Sequence, residues 1–84
     1  MKFKEISELF SALQQAKLNN EVEWECIGKS RYRTNWNDQE IEVDRRNNID
    51  KDVQEIYLKV EDFESTYTSS TEEFNILAKF IERI

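Results

Sequence analysis

Catalysis near neutral pH usually starts from a histidine, a reactive cysteine or two carboxylates held in unequal surroundings. This chain has no His and a single Cys, Cys26. With no imidazole to take its proton, Cys26 reads as a small apolar side chain of the core. One cysteine also excludes an intramolecular disulfide and a thiolate zinc site within the chain. Gly28 is the only glycine, too few for a glycine-rich phosphate loop. Carboxylates are plentiful. Glu23 with Glu25, and Glu40 with Glu42, recur at the two-residue spacing that places side chains ~6.8 Å apart on one face of a strand. Both pairs read as equally wet, so neither acquires the split in acidity that an acid–base pair needs. The oxygen donors Asp44, Asn47, Asn48, Asp50 and Asp52 crowd one stretch. Their spacing misses the helix–loop–helix calcium pattern and lacks its glycine, and turn chemistry accounts for them. The reading is a non-enzymatic chain with no metal and no cofactor.

The elements that must position these groups follow from periodicity. Eighty-four residues make one domain, 1–84. Aromatics at 12% and the absence of Pro argue for a packed core rather than linkers. Ile6, Leu9, Phe10, Leu13 and Ala16 fall on one face of a helix over 4–18, which Asn19 and Asn20 end. Residues 21–27 switch to period two, with Val22, Trp24 and Cys26 inward and Glu21, Glu23 and Glu25 outward. A second strand over 31–36 repeats the alternation, putting Tyr32, Thr34 and Trp36 inward. Parity selects the loop between them. Residues opposite each other in a ladder share a face, so a loop of Gly28, Lys29 and Ser30 pairs Cys26 with Tyr32 and Glu25 with Arg33.

Asn37-Asp38 is the next turn. A third strand, Gln39 to Arg45, turns Ile41 and Val43 inward and Glu40, Glu42 and Asp44 outward. Residues 46–52 read as a polar loop. A fourth strand over 53–61 buries Ile56, Leu58 and Val60 and exposes Glu55, Tyr57 and Lys59. Phe63 closes that strand, and 64–69, including Tyr67, reads as a loop. Ser70 and Glu73 fit a capping box before a helix over 71–83, striped by Phe74, Leu77, Ala78, Phe80 and Ile81, with Ile84 after it. The order α-β-β-β-β-α, with short connections, gives an antiparallel meander of four strands. The N- and C-terminal helices cover its one apolar face, as a two-layer α+β domain.

Charge narrows the partners. The net charge is −6 and the pI near 4.7, which opposes direct binding to nucleic acid. No apolar run is long enough to span a membrane, and the first residues lack a secretory signal, so the expected compartment is the cytoplasm. The outward face combines Glu21, Glu23 and Glu25 with Arg31 and Arg33, then Glu40, Glu42 and Asp44. Such a face can be solvated salt pairs, or an acidic recognition surface for a basic protein, imitating nucleic-acid phosphates. Duplex DNA carries a charge per ~1.7 Å of axis, so one strand is too sparse. Mimicry requires the segment 44–52 and Glu61, Asp62, Glu64, Glu72 and Glu73 to merge with the face.

A layout-level resemblance joins these readings. Ala12-Leu13-Gln14-Gln15-Ala16-Lys17 ends the first helix, Val22-Glu23-Trp24 opens a Trp-bearing hairpin, and Glu55-Ile56-Tyr57-Leu58-Lys59-Val60 forms a later strand. This resembles small accessory proteins of bacteriophages, over residues 8–60. It departs where those proteins carry Gly before the Lys and Ala16 stands here. The resemblance implies a context, host takeover or anti-defence inhibition in the host cytoplasm, and assigns no residue a role.

The expectation is a protein-binding inhibitor whose contact residues are Glu23, Glu25, Glu40, Glu42, Asp44 and Tyr57, docking on a basic surface of a host or defence protein. Two alternatives stand beside it. One is a small-ligand or nucleotide-binding sponge using Arg31, Arg33 and Tyr57 at a homodimer interface. The other is a structural subunit of a larger assembly, exposing part of the C-terminal stripe.

Overall fold

The period-3.6 spacing of the first segment produces α1 (Phe3–Leu18), which buries Ile6, Phe10, Leu13 and Ala16. The computed structural model describes residues 2–83. Five strands follow: β1 (Glu25–Cys26), β2 (Arg31–Trp36), β3 (Gln39–Asn48), β4 (Val53–Val60) and β5 (Phe63–Thr68). α2 (Glu72–Glu82) ends the fold. The sheet order is β1-β2-β3-β4-β5 and every neighbouring pair is antiparallel, as short connections require.

Alternation assigns the two faces. Ile41 and Val43 of β3 and Ile56, Leu58 and Val60 of β4 join the buried faces of both helices in one cluster with Val22. Both helices therefore lie on one face of the sheet, and the other face is left uncovered. Phe80 of α2 centres the packing. Its ring meets Phe10 of α1 edge-on at 4.9 Å and Trp24 at 5.4 Å between centroids.

The first hairpin has the expected register, with Glu25 opposite Arg33 and Cys26 opposite Tyr32 across a loop of Gly28, Lys29 and Ser30. The β2–β3 turn places Asn37 and Asp38 at φ of 52° and 61°, the left-handed pair that a two-residue hairpin loop demands.

Four details differ from the periodicity. Residues 64–69 are not a loop: β5 pairs along β4, and Phe63 and Tyr67 pack against the core, because alternation continues beneath the polar Ser and Thr. β3 continues to Asn48, since Arg46, Asn47 and Asn48 find ladder partners in Glu55, Gln54 and Val53. The strand expected over 21–27 contracts to Glu25–Cys26. Upstream of it, the Thr34 hydroxyl donates to the Glu23 carbonyl at 2.6 Å in place of a ladder bond. The N-cap of α2 is Thr71, not Ser70. The Thr71 hydroxyl accepts the Phe74 N–H at 3.2 Å, while that of Ser70 lies 3.0 Å from the Thr68 hydroxyl.

Cys26 also departs from its expected place. Its parity is inward, but β1 is the outermost strand, so the thiol is exposed and donates to the Gly28 carbonyl at 3.0 Å. Ile84 lies outside the described residues.

Candidate protein-binding surface

Register aligns the uncovered face into rows. One row crosses all five strands: Glu25, Arg33, Glu42, Lys59, Glu64. Its charges alternate in sign, so each carboxylate has a cation as cross-strand neighbour. Arg33 Nη2 reaches Glu25 Oε2 at 3.0 Å. Glu42 accepts from Arg31 Nε and is only 6% exposed. It is thus a buried carboxylate on the face expected to be wet. Long side chains on the neighbouring strands cover it, and its ion pair offsets the loss of water. The hydrogen bond to Glu42, and then its charge, raise the Arg31 pKa above its ordinary value. The same two effects from Glu25 raise that of Arg33.

The next row runs Arg31, Asp44, Tyr57, Thr66. Arg46 approaches Asp44 at 3.6 Å and lies over the Tyr57 ring, 5.2 Å from its centroid. The Tyr57 hydroxyl donates to Glu64. That bond, burial and the Glu64 charge raise the phenol pKa above its ordinary value. Tyr57 is therefore half-buried and held on two sides, a pre-set ring rather than a free one.

The turn end of the sheet has a different balance. Glu61 N–H donates to the Glu40 carbonyl at 3.0 Å, and Glu40 N–H donates to Glu61 Oε1 at 2.9 Å, tying the 61–62 turn beside the start of β3. The 37–38 turn opens that same strand. Asn35 stands opposite Glu40, and Glu23 lies against Thr34. Glu23, Asp38, Glu40, Glu61 and Asp62 are all exposed, and none forms an ion pair among the described residues. Next to them, Glu23, Trp24, Glu25, Arg33, Thr34 and Asn35 line an open depression of about 460 Å³.

The structure thus divides the sequence-derived residues. Glu23, Glu25 and Glu40 are exposed, Asp44 and Tyr57 are half-buried, and Glu42 is buried. Glu23 and Glu25 are both wet as expected, but Glu40 and Glu42 are not equally so: Glu40 is exposed, whereas Glu42 is buried in its ion pair with Arg31. Asp38 joins the group through the meander, which returns 61–62 to the end of the sheet that holds 37–38. The 49–52 turn sits at the other end of β4 from Glu61 and Asp62, so the acids do not merge into the continuous field that phosphate mimicry requires. Arg33 lines the depression without Arg31 or Tyr57, so the three residues of the ligand-sponge reading do not share it.

Among the described residues, no group of three or more Cys, Asp or Glu could hold a metal ion. No helix there is long and apolar enough to cross a membrane. The chain matches no protein-family model, no curated protein and no solved structure.

Proposed function

We propose that this chain is a non-enzymatic protein-binding domain. It docks the acidic turn end of its uncovered sheet face on a basic surface of a partner protein. The carrying observation is the gathering of Glu23, Asp38, Glu40, Glu61 and Asp62 at one end of the sheet, without ion pairs among the described residues. Cross-strand pairing neutralises the middle of the face, so the excess negative charge there is concentrated at the turns. The depression beside Trp24 and Glu23 gives an entering lysine or arginine an aromatic wall and a carboxylate. On the bacteriophage resemblance the partner would be a host or defence protein, and the binding inhibitory.

Charge of this kind acts mainly on the rate of encounter and is weakened by salt. The test is capture of proteins from a bacterial lysate on the tagged domain and on its Glu23→Lys/Glu40→Lys/Asp62→Lys variant, each at low and high salt. The expected result is a protein held by the natural sequence at low salt and lost both in the variant and at high salt. Retention of the same protein by the variant, or of none by either, overturns the reading.

A further inference from the structure

The two edges of the sheet are not alike. β1 offers two residues of backbone, whereas β5 offers six. Hydrogen-bond parity shows which groups of β5 point outward. Ser69 N–H donates to the Gln54 carbonyl at 3.0 Å, and bonded pairs recur at every second residue of an antiparallel ladder. Phe63, Ser65 and Tyr67 therefore bond to β4. Glu64, Thr66 and Thr68 present their N–H and C=O groups to the open side. Of these, the Thr68 carbonyl is met by Thr71, through its N–H at 3.0 Å and its hydroxyl at 2.8 Å. Exposed edges are usually blunted by lysine, proline or a bulge. Phe63–Thr68 contains no Lys or Pro, and its register with β4 is unbroken.

We propose that this edge pairs with β5 of a second copy, antiparallel about a two-fold axis at Thr66, joining two five-stranded sheets into one. The strand is self-complementary in that register. Thr66 faces its own counterpart, a favourable cross-strand pair, and Glu64 faces Thr68 of the second copy. Glu64 is the only charged residue of β5, so no like charges are opposed across the junction. Centring on Thr66 pairs both outward groups of Thr66 with those of its counterpart and joins the Thr68 N–H to the Glu64 carbonyl of the second copy, while the Thr68 carbonyl keeps its two Thr71 donors. The helices of both copies then lie on the same side of the joined sheet, and the acidic turn ends stay exposed.

The contact, one edge strand from each copy, is small beside the roughly 1,200–2,000 Å² of a standard specific interface, so the pairing is weak and concentration-dependent. Each copy carries −6, so repulsion opposes pairing and salt relieves it. Salt therefore strengthens this contact and weakens docking to a basic partner, so the two respond to ionic strength in opposite directions.

The test is sedimentation equilibrium of the full chain over a concentration series at low and high salt. The variants are Thr66→Lys, which sets two cations face to face on the axis, and Thr66→Pro, which removes an N–H that β4 does not use. The expected result is a monomer–dimer equilibrium that tightens with salt and weakens at least tenfold in both variants. Circular dichroism confirms that each variant is folded, and Thr66→Lys decides the matter alone if Thr66→Pro is not. Amide exchange at Thr66 and Thr68 slows as the concentration of the natural chain rises. A single-chain mass throughout the series, or a dimer equally strong in the folded variants, overturns the proposal.

Discussion

Asn37 and Asp38 show how far a residue type can be read directly. Both occupy the left-handed region, and Asn and Asp tolerate it better than other residues with a Cβ. Glycine tolerates it best. Asp38→Gly, giving the favoured Asn-Gly loop, is expected to stabilise the fold by on the order of 0.5 kcal/mol, checked by thermal unfolding. Tyr57 was legible as an outward side chain, but its hold was not, because Glu64 and Arg46 reach it from neighbouring strands. Its raised pKa has a definite sign in stability. The protonated phenol donates to Glu64, so its stabilising contribution is complete below about pH 10, the ordinary tyrosine value. That contribution is lost as pH rises through the higher folded value. Absorbance at 295 nm should show one tyrosine titrating late, absent in Tyr57→Phe and moved to lower pH by Glu64→Gln. Glu42 lay beyond single-strand alternation for a related reason. Its face is given by parity, but its burial depends on which long side chains flank it across the ladder.

At the scale of elements, the strongly periodic segments were readable and the polar ones were not. α1, β2, β4 and the first hairpin register follow from apolar spacing and parity. β5 is half Ser and Thr, and its identity as a strand comes from the free edge of β4 rather than from its own composition. β1 errs the opposite way. It alternates cleanly in sequence, yet lies at the margin of the helical cover and keeps only two ladder residues. The cap of α2 gives a direct check. Thr71→Ala should cost about 0.5–2 kcal/mol in urea unfolding, because the Phe74 N–H loses its acceptor. Ser70→Ala, one residue away, should cost distinctly less, since its hydroxyl caps no helical amide.

At the scale of the molecule, the covered face supplies cohesion and the uncovered face supplies charge. Leu77, fully buried between α2 and the sheet, has no room for loss in so short a chain. Leu77→Ala should cost about 2–5 kcal/mol, measured as a fall in the urea midpoint. The one-sided architecture was legible in the sequence; the distribution of charge across the open side was not. It depends on a register that spans five strands, which leaves the acidic excess at one set of turns. The most direct test of that distribution is an NMR titration of the labelled domain with a short oligolysine peptide at low salt. The largest amide shifts are expected at Glu23, Asp38, Glu40, Glu61 and Asp62, suppressed by added salt. Shifts spread evenly over the protein, or concentrated at the helical acids Glu5, Glu8, Glu72 and Glu73, would contradict that distribution.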